Sequence, residues 1–295
     1  MVISLWLIAS ITFFILHNIP GGPFTREKAL PPEVVAALNE KYHLDDPLLK
    51  QYADYLKGIV TFDLGPSFQY IGVEVTDLIK DGFPVSAKLG GATSLLVLFL
   101  GVPLGIISAL KKNKWEDYLV TILATMGVAV PGFVIATVII YIFSAKLGWL
   151  PSNGLDTWRH YIGPSVALGG FSLAFVSRLM RSSMLEVIQQ DYIRTARAKG
   201  LSEFRVIIKH ALKNAILPVV TFMGPMIAAI MTGSFIIERI FVIPGMGKYF
   251  VESVGNRDYT VIMGATVFYA AFSIVMILLV DLFYGLVDPR IKLED

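Results

Sequence analysis

The chain has 295 residues, 55% hydrophobic and only 16% charged, against about 25% charged in ordinary soluble domains, which excludes a simple water-soluble globule. Its 25 Gly and 15 Pro and a mean hydropathy of +0.66 suit helices that live in lipid. With no cysteine, disulfides, thiolate zinc sites and a cysteine nucleophile are excluded, and a net charge of +2 does not suggest a nucleic-acid partner.

Six apolar runs are long enough to cross a hydrocarbon core of about 30 Å, which takes roughly 20 helical residues. They cover 2–19, 90–110, 118–143, 162–180, 215–237 and 261–287. The first lacks a basic leader and ends in His17-Asn18-Ile19-Pro20-Gly21-Gly22 rather than a small-x-small cleavage site, so it reads as a retained helix. After it, Pro31-Pro32-Glu33 opens a helical spacing of Val34, Val35, Leu38 and Tyr42. A second short helix is expected from Asp46-Pro47 to a stop at Gly58, burying Leu48, Leu49, Tyr52 and Leu56. Together these predict a small helical cap.

Within the runs, Gly101 and Gly105 form a small-xxx-small pair that predicts close helix packing. Pro103 and Pro131 predict kinks. Lys88 and Arg178 sit where snorkelling reaches the interface, and Asp281 is also expected to be interfacial. Lys and Arg number twelve in the 50 residues of connections 111–117, 181–215 and 288–295, but eleven in the 106 residues of 20–84, 144–161 and 238–260. Because basic loops stay in the cytoplasm, both termini are expected inside and 20–84 outside.

The catalytic inventory is thin. Histidines 17, 43, 160 and 210 are scattered, and no His or carboxylate cluster has metal-ligand spacing. No G-x-S-x-G elbow occurs. Gly245-Met246-Gly247-Lys248-Tyr249 looks superficially like a phosphate loop but lacks the earlier glycine and the Ser or Thr after Lys, so it reads as a turn or outer gate. None of the six apolar cores carries an acid or histidine at its centre, which weakens the reading as an ion-coupled carrier.

The connection 181–215 is the most informative stretch. Asp191 is expected to cap a short helix over 192–199, with Gly200 as its left-handed stop. Such a helix sets Ala196 and Ala198 beside Arg194 and Arg197, allowing a partner to approach. A basic loop that only obeys the positive-inside rule or touches anionic lipid satisfies the same residues.

At these residues the sequence resembles the permease subunits of ATP-binding-cassette importers, whose signature is Glu-Ala-Ala, three residues, Gly, nine residues, then Ile-x-Leu-Pro. Gly200 matches the glycine, Arg194-Thr195-Ala196 stands for Glu-Ala-Ala, and the proline comes only at 218. The sequence is much more similar to the B-type membrane subunits of oligopeptide and dipeptide importers. That resemblance rests on Asp191-Tyr192-Ile193-Arg194-Thr195-Ala196-Arg197-Ala198-Lys199-Gly200-Leu201, Asp63-Leu64-Gly65-Pro66-Ser67-Phe68, Phe83-Pro84-Val85-Ser86 and Thr232-Gly233-Ser234-Phe235-Ile236-Ile237-Glu238. It continues in Ile243-Pro244-Gly245-Met246-Gly247, Asn256-Arg257-Asp258-Tyr259 and Asp288-Pro289-Arg290, so it covers essentially the whole chain. Such permeases usually carry a basic Tyr- and Arg-rich stretch before the first helix, whereas Met1 leads straight into apolar sequence. The expectation is a start placed late, or a topology carried by the later loops.

The resemblance implies an all-α membrane protein with the type I importer permease fold, six transmembrane helices and both termini cytoplasmic. It divides the chain into a first transmembrane helix (1–19), an extracellular helical cap (20–84), a five-helix permease core (85–287) with the coupling loop 181–215, and a cytoplasmic tail (288–295). It implies half of an oligopeptide pore in a prokaryotic plasma membrane, not an enzyme. The implied partners are a C-type permease, two ATP-binding subunits, an extracellular peptide-binding protein and membrane lipid, and none is a nucleic acid. No cofactor or metal is expected on this chain, with ATP and Mg on the partner subunits. Coupling is assigned to Asp191, Arg194, Thr195, Ala196, Arg197, Ala198, Gly200 and Leu201. An outer vestibule or gate is assigned to Asp63, Gly65, Ser67, Pro244, Gly245, Gly247, Asn256, Arg257 and Asp258. The alternatives are the same architecture carrying dipeptides or a nickel chelate, an ion-coupled secondary carrier, and, disfavoured by the missing catalytic groups, an intramembrane enzyme.

Overall fold

The structure, a computed structural model, describes residues 1–24, 32–232 and 235–287. Its described elements are helices, with one isolated antiparallel bridge between Pro66 and Glu74. In chain order they are α1 (Val2–His17), α2 (Pro32–Lys41), α3 (Leu48–Thr61), α4 (Val75–Leu110), α5 (Trp115–Ala129) and α6 (Gly132–Ile139), which passes into a π-helical segment, Ile140–Lys146. Then follow α7 (Trp158–Val187), α8 (Asp191–Ala198), α9 (Glu203–Arg205) with a second π-helical segment (Val206–Ala211), and α10 (Leu212–Ala215). The last four are α11 (Leu217–Met231), α12 (Phe235–Ile240), α13 (Met246–Asn256) and α14 (Tyr259–Val287).

Four stretches are long and apolar enough to cross a membrane: Val75–Leu110, Trp158–Val187, Leu217–Ile240 and Tyr259–Val280. Trp115–Ala129 and Gly132–Lys146, bent by 107° at their junction, add a fifth if they form one span. Val2–His17 is apolar but shorter. This is a multi-pass helical membrane protein.

The bend replaces the kink expected at Pro131 with a break. Val130 precedes the proline and is extended (φ −94°, ψ 120°), because the proline ring disfavours helical backbone in the residue before it. Both halves then lie against α7 through bare glycines. A Cβ on Gly127 would come within 2.7 Å of the Gly170 carbonyl oxygen, and one on Gly132 within 2.9 Å of that of Ala167. The expected Gly101/Gly105 contact is present on another face of α7. A Cβ on Gly105 would meet the Ser177 carbonyl oxygen at 2.5 Å, and one on Gly101 would meet Val176 at 3.0 Å.

The chain forms two compact units. The first comprises Met1–Ser86 and Pro244–Ile274, the second Ala87–Ile243 and Val275–Asp295. In the first unit, Phe13 of α1 stacks on His17 (centroids 3.9 Å apart) and lies near Tyr55 of α3 (5.6 Å), while Ser10 Oγ hydrogen-bonds Tyr52 Oη at 2.6 Å. A second core gathers Val75, Leu78, Ile79, Met246, Val261 and Ala265. In the second unit, one core runs from Val97, Val176, Met180 and Met184 to Ile193, Ala196, Val206 and Ala215, so α8 and the 203–216 segment are packed onto the C-terminal part of α7.

Several boundaries differ from the sequence expectations. α3 does not stop at Gly58 but runs to Thr61, and Phe62 takes the left-handed conformation (φ 59°). Gly58 serves a different purpose. The chain folds back so that Asp63 N–H donates to the Gly58 carbonyl at 2.9 Å, and a Cβ there would lie 2.4 Å from the Asp63 carbonyl oxygen. Leu48 and Leu49 are exposed and Tyr52 and Leu56 only half-buried, because α3 leans on α1 with its Tyr52 and Tyr55 side and buries no residue fully. α4 begins at Val75, so Phe83-Pro84-Val85-Ser86 is helical and not part of the preceding connection. Lys88 and Arg178 are exposed. Gly233 and Ser234, the tail 288–295 with Asp288-Pro289-Arg290, and the side chain of Asp281 lie outside the described residues.

Candidate functional site

The connection after α7 builds a small amphipathic helix on a firm base. Gln190 (φ −70°, ψ 150°) is the N-cap of α8, so Asp191 is the first helical residue rather than the cap. There its carboxylate still favours the positive end of the helix dipole and lies 3.5 Å from Arg194. Gly200 is the left-handed stop (φ 74°). Its N–H donates to the Arg197 carbonyl at 2.9 Å and that of Leu201 to Ala196 at 3.4 Å, the paired pattern of a Schellman cap.

The two faces of α8 separate cleanly. Ile193 is 0% exposed and Ala196 5%. Both enter the core beneath α7, so Ala196 faces inward and is not offered to a partner. Burying Ile193 contributes about 2 kcal/mol and fastens α8 to α7. Tyr192, Arg194, Thr195, Arg197 and Ala198 are exposed. Thr195 Oγ1 donates back to the Asp191 carbonyl at 2.9 Å, and Asn214 Nδ2 donates to Tyr192 Oη at 2.7 Å. Arg197 clasps Glu203 with Nη2–Oε1 at 2.6 Å and Nε–Oε2 at 3.1 Å, which holds the Glu203 carboxyl below its ordinary value. The stability linked to that shift is present above the unfolded carboxylate range and is lost as pH falls through the lowered value. With both side chains solvent-facing it amounts to tenths of a kcal/mol. Phe204, next to Glu203 in the chain, is 76% exposed.

One group in the second unit escaped the sequence reading. Asp117, early in α5, is buried and receives four hydrogen bonds. They come from Arg181 Nε (2.7 Å, to Oδ1), Arg181 Nη2 (2.8 Å, to Oδ2), Ser108 Oγ (2.5 Å) and Asn113 N–H (2.9 Å). The cluster ties the end of α4, the 111–114 turn and α5 to α7, ten residues before α8 begins. A charge of each sign stood at the end of an apolar run, which was the available signal. The pairing itself joins positions 64 apart.

The residues assigned to an outer gate fall into two groups within the first unit. Asp258 is 0% exposed. It accepts from Ser67 Oγ (2.5 Å), Gln69 N–H (3.1 Å), Phe68 N–H (3.2 Å) and, at the start of α14, Thr260 Oγ1 (2.9 Å) and Val261 N–H (3.3 Å). Gln69 Nε2 donates to the Asn256 carbonyl at 3.0 Å, and Arg257 Nη1 to that of Pro20 at 3.0 Å. Gly65 (φ 81°) accepts from Val75 N–H at 3.0 Å, and Asp63 Oδ1 accepts from Gly65 N–H at 3.2 Å. This group latches the 63–70 turn onto the start of α14.

In the second group, the stretch expected to be a turn or outer gate is the start of a helix. Gly245 is the N-cap of α13, and Met246 and Gly247 are its first helical residues. Gly245 and Gly247 are buried while Pro244 is exposed. Met246 N–H donates to Ser86 Oγ at 2.9 Å, and a Cβ on Gly82 would approach Met246 Cα to 3.1 Å. Among the described residues, no group of three or more His, Asp or Glu is placed to hold a metal.

Residues 101–293 match the family described as binding-protein-dependent transport system inner membrane component, and residues 1–90 match the N-terminal part of such membrane components. The dipeptide transport system permease protein DppB of Bacillus subtilis is 49% identical over 294 residues, 100% of this chain and 96% of that protein. The oligopeptide transport system permease protein OppB of Escherichia coli K12 is 45% identical over 291 residues, 98% of this chain and 95% of the relative. Among solved structures, an inward-facing MetNI methionine ABC transporter superposes with a TM-score of 0.59 at 16% identity, over 72% of this chain and 96% of the other, which shows the shared fold. The chain therefore belongs to the family of binding-protein-dependent transport system inner membrane components, as a B-type permease of the peptide ABC transporter kind.

Proposed function

We propose that this chain is one half of the translocation pore of an ATP-driven peptide importer in a prokaryotic plasma membrane. It spans the membrane six times with both termini cytoplasmic, pairs with a C-type permease, and works with two ATP-binding subunits that hold ATP and Mg. An extracellular binding protein delivers the peptide. The observation that carries the reading is similarity along the full length to permeases named for dipeptide and oligopeptide transport, at 49% and 45% identity. The α8 geometry supports it. A helix whose inner face is buried against α7 and whose outer face is basic and exposed suits docking in an ATPase cleft, so that nucleotide-driven closure moves α7 as a lever. Both oligopeptides and dipeptides stand as substrates, the dipeptide reading favoured by the 49% relative.

The test is reconstitution of the complex in proteoliposomes with binding protein and ATP, followed by uptake of a radiolabelled dipeptide, a pentapeptide and a nickel chelate. Peptide uptake that requires ATP supports the reading. Uptake driven by an ion gradient without ATP, or of the chelate alone, overturns it.

The exposed coupling residues Asp191, Arg194, Thr195, Arg197, Ala198 and Gly200, with Leu201, are proposed to face the ATPase, while Ala196 anchors the helix. In the vestibule, exposed Asp63, Pro244 and Asn256 with Gly65 and Arg257 form the surface, braced from below by Ser67, Gly245, Gly247 and Asp258. Orientation is checked by single cysteines, since the chain has none of its own. Cysteines at the exposed positions Ser152 and Asn256 should react with an impermeant thiol reagent in intact cells, and one at exposed Ser202 should not. Ser67, only 1% exposed, is unsuited to this probe. Labelling at Ser202 with protection at Asn256 would reverse the topology.

A further inference from the structure

Arg181 of α7 and Asp117 of α5 hold each other by two parallel hydrogen bonds, Nε to Oδ1 at 2.7 Å and Nη2 to Oδ2 at 2.8 Å. Ser108 Oγ, at the end of α4, adds a second donor to Oδ1, and the Asn113 N–H a second to Oδ2. A fork of this kind fixes the relative direction of the two side-chain planes as well as their distance. Among the described residues this is the one ion pair that joins α7 to another helix.

The neighbouring contacts of α7 with these two helices are of a different kind. Gly105 of α4 lies against the Ser177 carbonyl and the Met180 side chain, and Gly127 of α5 against the Gly170 carbonyl. Bare backbone lets helices approach closely without fixing their register, and helices packed in this way can slide past each other by small shear steps. Arg181 also stands at the base of α8. Met180 and Met184, both 0% exposed, share one core with Ile193 and Ala196 of α8 and with Ala109 of α4, so a displacement of α8 reaches the stretch of α7 that carries Arg181. As a fastener alone the ion pair has no advantage, because well-packed apolar residues of similar volume often hold a buried interface as well or better. What the pair adds is direction.

We propose that Asp117 and Arg181 are positioning residues of the transport cycle: their forked pair makes α4 and α5 follow α7 when α8 is displaced, so that movement at the docking surface reaches three membrane helices instead of one. The inference rests on the import reading and deepens it by naming the point at which the movement is passed on. Without the pair, α7 slides along its glycine contacts while α4 and α5 stay behind, and ATP is hydrolysed without matching transport.

The test compares the parent complex with Ser108→Ala/Asp117→Val/Arg181→Met and with Arg181→Lys, each in proteoliposomes with binding protein, ATP and a radiolabelled dipeptide. Uptake and ATP hydrolysis are read together. The triple variant removes every side chain of the cluster that needs a polar partner, so it should assemble with both ATPases and melt close to the parent. Arg181→Lys keeps the charge and loses the fork. Both should still hydrolyse ATP, while uptake per ATP falls about tenfold in the triple variant and several-fold in Arg181→Lys. A purely structural role predicts instead that transport returns wherever the melting midpoint does. Parent-like uptake per ATP in the triple variant overturns the proposal, and if that variant fails to assemble, parent-like uptake per ATP by Arg181→Lys does so. Uptake and hydrolysis falling by the same factor overturns it as well, since the two then remain coupled. If the parent shows no ATP-driven uptake, the import reading falls and this proposal with it; if the parent imports while the variants go the wrong way, only the role of the pair falls.

Discussion

Replacing Asp117 by alanine is expected to be among the most destabilising single changes in the second unit, and worse than removing its partner as well. The carboxylate is 5% exposed and the Arg181 side chain 29%, so the truncation leaves a guanidinium short of its two strongest acceptors in a partly desolvated place, along with Ser108 Oγ and the Asn113 N–H. Breaking a buried pair from one side costs about 3–5 kcal/mol, and the residual exposure of Arg181 puts this case near the lower end. In Asp117→Ala/Arg181→Met the stranded charge is gone, and the methionine fills part of the space with apolar atoms. The double variant should therefore melt higher than Asp117→Ala alone. The thermal midpoints of the two single variants and the double variant give the coupling between the side chains, and additive losses would show that the pair does not interact.

The same cluster shows where sequence reading reaches its limit. Arg181 was legible as one more basic residue on the cytoplasmic side, and Asp117 only as the edge of an apolar run. What joins them is the packing of α4 and α5 against α7, which depends on Gly101, Gly105 and Gly127 lacking a side chain where another backbone comes within 2.5–3.4 Å of the missing Cβ. Small-xxx-small spacing announced close packing but not the identity of the neighbour. The break at Pro131 was similarly half legible. A proline in an apolar run predicts a disturbance, but its size depends on whether neighbours support each half separately, as α7 does here.

Local signals fared better where the chain had to satisfy itself. Pro32 at the start of α2 and Gly200 at the end of α8 stand where expected, because an N-terminal proline and a left-handed glycine depend on a few adjacent peptide groups. Gly58 shows how the same residue type misleads. It resembled a helix stop, yet it sits inside α3 so that Asp63 can fold back over it. In the candidate sites, Asp258 and Ser67 were legible as polar residues of importance, whereas their burial arises from bonds between positions about 190 apart.

Substituting valine for Gly200 is expected to uncouple transport from ATP hydrolysis while the chain still inserts and assembles. Nothing lies within 4 Å of a Cβ built at Gly200, so the substitution meets no steric clash. The whole effect comes from the backbone at φ 74°, which costs a non-glycine residue about 1–2 kcal/mol and a β-branched one more. That strain is relieved by giving up the two capping hydrogen bonds to the Ala196 and Arg197 carbonyls. The end of α8 then frays, turning Arg197 away from Glu203 and displacing the surface proposed to meet the ATPase. Ile193, a turn and a half earlier, keeps the helix attached to the core, so loss of folding is not the expected outcome. Asparagine tolerates the left-handed region and should retain most of the uptake, with alanine falling between asparagine and valine. Measured in proteoliposomes, uptake per ATP hydrolysed should decline in the order Gly, Asn, Ala, Val while co-purification of the ATPases stays constant. Normal uptake by Gly200→Val with both ATPases bound would show that the conformation of this cap does not matter to coupling, and the docking assignment of α8 would fail.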